Sequence, residues 1–315
     1  MVLKILEKPS AASIRRKQME TTKALYAGIL FCVFYASQIV LQQFFVKSTI
    51  FPLHLDFLTN LSAFILLTLY FMIFKRDAFK IKLNKKSFIL FLAATFLWIL
   101  ADVSSIFGLK DSSSINLSII SRLQIIITYF LAVMFFGESI SKNKVIASVL
   151  SFIGGLIIVY DFQTGFRINP GDILFFVFTV TISLSGLIRQ KVTTHMSALQ
   201  MSYLMFGVSS AVLGAVTFLF FPIKSVTIPG FIILNSVISL VGFIFVNASI
   251  ALGGATFFSI VSSLLPVFTA ILSFIFLKQL PLFTQVIGAV IITLGIILFQ
   301  KNENRKSNIS RRNST

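Results

Sequence analysis

The feature that most constrains this chain is a succession of apolar, almost uncharged runs, each about 20 residues long, repeated nearly from end to end. An α-helix of that length spans the hydrocarbon of a bilayer, where every backbone N–H and C=O must be satisfied within the helix itself. Reading for such runs predicts spans at 24–44, 53–74, 88–108, 114–136, 143–160, 171–190, 198–220, 229–250, 255–277 and 283–299. Helix-stopping residues punctuate them at Phe51-Pro52, Asn169-Pro170-Gly171, Phe221-Pro222, Ile228-Pro229-Gly230 and Leu280-Pro281. Composition agrees. The 315 residues are 57% hydrophobic and only 12% charged, whereas an ordinary soluble domain is about a quarter charged. The first run is too long for the core of a cleaved signal peptide and reads as the first span.

The net charge of +17 invites a nucleic-acid partner, but its placement argues against one. Of 27 Lys and Arg, six fall in 1–23, six in 75–87 and five in 300–315, in the tails and a loop between apolar blocks. Basic loops beside spans set orientation, because positive charge resists translocation. Numbering the loops alternately gives 21 Lys and Arg at one face, counting those at span ends. The other face has five: Lys47, Lys110, Arg167, Lys224 and Lys278. This split predicts that both termini are cytoplasmic.

Displacing the chain against itself by 141 residues aligns 114–158, the fourth and fifth runs, with 255–299, the ninth and tenth, without a gap. Identical pairs include Ser118/Ser259, Ser121/Ser262, Leu123/Leu264, Thr128/Thr269, Leu131/Leu272 and Gly154/Gly295. Greasy segments match by chance, but Ser, Thr and Gly recurring in one register mark an internal repeat. Five spans per repeat is an odd number, so the second copy enters the membrane upside down. Inverted repeats allow two halves to exchange conformations around one central site.

Two stretches of the second half, Gly171-Asp172-Ile173-Leu174 and Ser263-Leu264-Leu265-Pro266-Val267-Phe268-Thr269, carry a family likeness, as do Gln285-Val286-Ile287-Gly288-Ala289 and Leu294-Gly295-Ile296. Phe34-Tyr35-Ala36-Ser37-Gln38 and Phe136-Gly137-Glu138-Ser139 carry it in the first half. Over nearly all of 24–299 the chain resembles the drug/metabolite transporter superfamily, in its ten-helix form with two EamA-type repeats. It departs from that pattern at Ile125, where the first half lacks a proline, at Gln279, where the second lacks a glutamate, and around Thr59-Asn60. The resemblance implies a central cavity lined by helices 1, 3, 4, 6, 8 and 9.

The expected fold is therefore an all-α membrane protein, with ten transmembrane helices in two inverted five-helix repeats around a central cavity. Residues 1–23 form a basic cytoplasmic tail, 24–160 the first repeat, 161–170 an outer linker, 171–299 the second repeat, and 300–315 a disordered basic cytoplasmic tail.

Charged side chains inside a span cost at least about 2.5–3.5 kcal/mol by insertion scales and mark function or pairing. Asp102 in the third span and Arg122 in the fourth are such residues, at depths of roughly 9 and 12 Å from the same membrane face. As a salt bridge they would only help two helices pack. As a site, Arg122 would anchor a carboxylate or phosphate, with Asp102 holding it or taking protons. Helical spacing groups Trp98 with Asp102, Arg122 with Ile125 and Tyr129, and Tyr35 with Gln38. Asn235 shares a face with Ser239 and Gly242. The expected substrate-binding set is Arg122, Asp102, Trp98, Tyr35, Gln38, Tyr129 and Asn235. Pro266 reads as a mid-helix interruption, and Asp56 and His54 as the solvated outer end of the second span.

No Gly-rich phosphate loop, metal-ligand cluster or catalytic triad is legible, so no enzyme activity, cofactor or metal is expected. The expected function is a secondary transporter moving a small metabolite or amphipathic compound by alternating access. It would work as a monomer or homodimer in the cell (inner) membrane. Export and coupling to protons follow from the resemblance alone. A nucleotide-sugar carrier or lipid-linked sugar flippase is an alternative. A non-transporting structural or sensory membrane protein is another.

Overall fold

The computed structural model describes residues 11–48, 51–81, 83–136, 146, 149–150, 153–154, 157, 160–161, 165–166, 169–221, 229–291 and 293–294. The span expected at 143–160 and the linker at 161–170 fall largely outside these residues, and the tail at 300–315 entirely so. The helices are α1 (Ala11–Ser48), α2 (Pro52–Phe74), α3 (Lys85–Asp111), α4 (Ser114–Ile120), α5 (Gln124–Phe136), α6 (Pro170–Val192), α7 (Ala198–Phe220), α8 (Pro229–Gly253), α9 (Ala255–Val261) and α10 (Leu265–Leu277). Residues 283–291 are also helical. A two-residue antiparallel ladder pairs Tyr160–Asp161 with Gly165–Phe166.

Seven of the described helical segments are long and apolar enough to cross a membrane, among them Thr22–Lys47, Lys85–Asp111 and Ser114–Leu131. The helix that carries the first span begins at Ala11, within the segment expected as a tail. Residues are distributed inside out. Phe218, Leu219 and Phe220 are 68–74% exposed, while Ser183, Asn235 and Asn247 are wholly buried. Water would penalise that arrangement, whereas lipid favours it, because the outer face meets hydrocarbon and buried polar groups find partners inside.

Three pairings across the two halves organise the bundle: α3 packs on α6, α1 on α8, and α2 on α7. The first is the closest. A Cβ on Gly108 of α3 would lie 2.9 Å from the Gly171 carbonyl oxygen, and one on Gly171 would lie 2.4 Å from that of Gly108. Glycine here lets two backbones touch. Polar side chains tie off the same end. Ser112 Oγ donates to Asp172 Oδ1 at 2.6 Å, and Asn116 Nδ2 donates to the same oxygen at 3.2 Å.

The 141-residue repeat reappears as a repeat of breaks. A 3₁₀ turn, Ser121–Leu123, separates α4 from α5, and another, Ser262–Leu264, separates α9 from α10. Each boundary of one broken helix maps onto the other at the same offset. The starts of the two broken helices are matched too. Gln43 Oε1 from α1 accepts the Ser114 N–H at 2.7 Å, and Gln190 Oε1 from α6 accepts the Ala255 N–H at 2.9 Å. Both glutamines satisfy an orphan donor that a helix start leaves exposed. Gly254, ahead of α9, has φ +85°, a left-handed conformation in which a side chain would be strained.

Two expectations are corrected here. Pro266 is in the first turn of α10, where a missing N–H removes no helical bond, so it is not the cause of the interruption. The first copy breaks at the same place with Ile125 instead. Asp56 is buried, 2% exposed, rather than at a solvated helix end.

Candidate functional site

A narrow cavity, partly open to solvent, lies where the two breaks face each other. Its lining comes from α1 (Phe31, Tyr35, Gln38), α3 (Trp98, Asp102), the first break (Ser121, Arg122, Gln124) and α6 (Phe178, Ile182, Arg189). The rest comes from α8 (Ser239, Gly242, Phe243, Val246) and the second broken helix (Phe258, Ser262, Leu265).

Arg122 links the breaks. Its Nη1 donates to the Ser262 carbonyl and, at 3.1 Å, to Ser262 Oγ. Nε donates to the Ser118 carbonyl at 3.0 Å, and Nη2 donates to Ser121 Oγ at 2.8 Å. All of these acceptors are neutral.

Asp102 does not pair with Arg122. Its carboxyl is within hydrogen-bonding reach of Asp56 and Asn60 on α2. Asn60 Nδ2 also donates to Asp56 Oδ1 at 2.7 Å. The depths of Asp102 and Arg122 were legible in the sequence, but depth does not fix the direction in which a side chain points.

Tyr35, Gln38, Trp98, Asp102 and Arg122 are thus brought to one cavity. Tyr129 and Asn235 do not line it. Tyr129 lies in α5, seven residues beyond Arg122, and is buried in the packing instead. Gln124 takes the place on the cavity wall. Asn235 instead ties α8 to α2, donating from Nδ2 to Thr59 Oγ1 at 2.9 Å.

Arg189 is the residue that sequence reasoning missed. It was one of the 21 basic residues assigned to a membrane face, because only three residues separate it from the end of α6. It is 1% exposed and lines the cavity. Its Nη1 donates to Asn247 Oδ1 at 3.1 Å, and its guanidinium carbon lies 5.5 Å from the centre of the Phe243 ring. Trp98 packs on the same ring, with centroids 4.5 Å apart. The remaining loop charges keep their strong bias.

The model of the EamA-like transporter family matches residues 22–160 and again residues 169–300. The chain belongs to the EamA-like transporter family. It carries two copies of the EamA repeat and is an integral, multi-pass membrane protein. An uncharacterized transporter, YyaM, of Bacillus subtilis (strain 168) is 26% identical over 202 residues. That match covers 60% of this chain and 65% of the relative, so the chain spans less than two thirds of the relative's length. A solved crystal structure is similar with a TM-score of 0.65 at 13% identity, covering 91% of this chain and 98% of the other, a likeness of fold alone.

Proposed function

We propose that this EamA-family chain is a secondary carrier that moves a small solute through the cavity between its two repeats. The repeats are inverted, both termini are cytoplasmic, and access to the cavity alternates between the two faces. The observation that carries this reading is Arg122: a guanidinium 4% exposed, at membrane depth, bound only to neutral acceptors and facing a space walled by both repeats. A charge held in that way is costly unless it serves a solute or a partner. The broken helices that meet there are positions at which a membrane helix bends without breaking a full ladder of hydrogen bonds.

The test is transport by the purified protein in liposomes. A panel of radiolabelled metabolites, assayed with and without a proton gradient, should show protein-dependent flux of at least one solute. Arg122→Lys should insert normally and lose most of that flux, because a point charge replaces a fork of donors. Flux through Arg122→Lys equal to that of the parent protein would overturn the role of the arginine. A second measurement tests the cavity: a cysteine at Gln38 should react with a water-soluble maleimide. A dry cavity in every condition would leave only a packing role.

A further inference from the structure

We propose that Arg122 and Arg189 together form a two-point clamp for small organic anions that carry two acidic groups on an apolar body. This inference rests on the carrier reading above and names its substrate class.

The argument begins from charge. A guanidinium stays protonated in proteins, so both arginines bring a full positive charge to one cavity. Neither has a carboxylate within ion-pair distance among the described residues. Asp102, the acidic residue on the cavity wall, is turned to Asp56 and Asn60 on α2. Two cations therefore face the same space with their charge incompletely balanced.

The donor inventory points the same way. Arg189 has one bond from Nη1 to a neutral amide, and its Nε is buried with no partner. Nε itself is sealed in the packing, so the capacity for a bound acceptor lies in the terminal N–H groups of the guanidinium. The two arginines sit in different settings, one between the breaks and one against Phe243 and Asn247. They come from different repeats, so a solute bridging them would contact both halves at once. The wall between is apolar and aromatic, with Trp98, Phe178 and Phe243. A linear dicarboxylate matches that arrangement, with an acid at each end and methylenes between.

The chain carries a single tryptophan, and it is in the cavity wall. Trp98 emission is therefore a direct readout of occupancy in purified protein, independent of any transport assay. The probes are the dicarboxylates from butanedioate to octanedioate, with hexanoate, hexanamide and hexylammonium as controls. The best dicarboxylate should shift Trp98 emission saturably and bind at least about tenfold more tightly than hexanoate, as expected where each end makes a charge-assisted pair. Hexanamide and hexylammonium should give no saturable change. Arg189→Gln should bring the dicarboxylate to the affinity of hexanoate, and Arg189→Lys, which keeps the charge, should recover part of the difference. If the amide or the amine binds as well as the anions, or the dicarboxylate gains nothing over hexanoate, the clamp is wrong. Unchanged dicarboxylate affinity in Arg189→Gln also overturns it. Dicarboxylate binding without flux would refute the carrier and leave the clamp standing. Flux of neutral or cationic solutes alone would do the reverse.

Discussion

The two broken helices are near copies in shape and opposites in chemistry. Both start on a glutamine borrowed from a neighbouring helix, both bend through a three-residue 3₁₀ turn, and both continue for 13 residues. At the first bend stands Arg122, which reaches across to the second and uses its Ser262 as an acceptor. Asp102 in turn has Phe243 as its counterpart at the 141-residue offset, and both line the cavity. Shape was retained where it sets the backbone path, and side chains diverged where a solute would be recognised. A symmetric scaffold thus holds an asymmetric site.

The largest effect should come from removing the asymmetry. Arg122→Gln is expected to lower transport by about a hundredfold or more while leaving insertion intact, since the charge and most of the donors go together. Flux in proteoliposomes, normalised to inserted protein, checks it. Ser262→Ala, on the receiving side, should cost only a few-fold, because the backbone carbonyl that accepts from Arg122 remains. Equal losses from both would mean that the bends contribute alike.

Next comes the cavity wall beside the first bend, which Gln124 lines and Tyr129 does not. A cysteine at Gln124 should react with a water-soluble thiol reagent several-fold faster than one at Tyr129, the reverse of what a continuous helix through Arg122 would give. Labelling rates in membranes decide between the two. Smaller again are the borrowed caps. Gln43→Ala and Gln190→Ala should each destabilise the fold by about 1 kcal/mol, because each frees one orphan N–H. Gln43→Ala should cost the more, because Gln43 Nε2 also donates to Gln279 Oε1 at 3.2 Å. Thermal unfolding in detergent checks both the size and the order. The smallest effect tests the break directly. Proline inside a continuous helix costs about 3 kcal/mol. Ile125→Pro, at the position that Pro266 holds in the second copy, should cost under about 1 kcal/mol.

Much of this was legible in the sequence, for a physical reason. The hydrocarbon demands long apolar runs, so the boundaries of the fourth, seventh and ninth expected spans coincide with helices in the structure. Period and depth also brought Tyr35, Gln38, Trp98, Asp102 and Arg122 to one wall. What escaped was rotation and partnership. Arg189 and Asp56 lie near helix ends, where hydropathy treats any charge as solvated, yet both face inward. The first bend has no proline to announce it, so nothing in the sequence showed that the helix carrying Arg122 is interrupted there. Asn235 shows the limit of reading a polar residue as a ligand: its amide serves α2.

The touching glycines, Gly108 and Gly171, bear on what can move. They weld the end of α3, from the first repeat, to the start of α6, from the second, at backbone contact. Two repeats rocking past each other as rigid blocks would have to tear that weld apart on every cycle. The bodies that exchange positions in the proposed carrier would then not be the two units of sequence duplication. In the proposed carrier, α3 and α6 would serve as the stationary frame, and the broken helices would swing against it from their 3₁₀ turns.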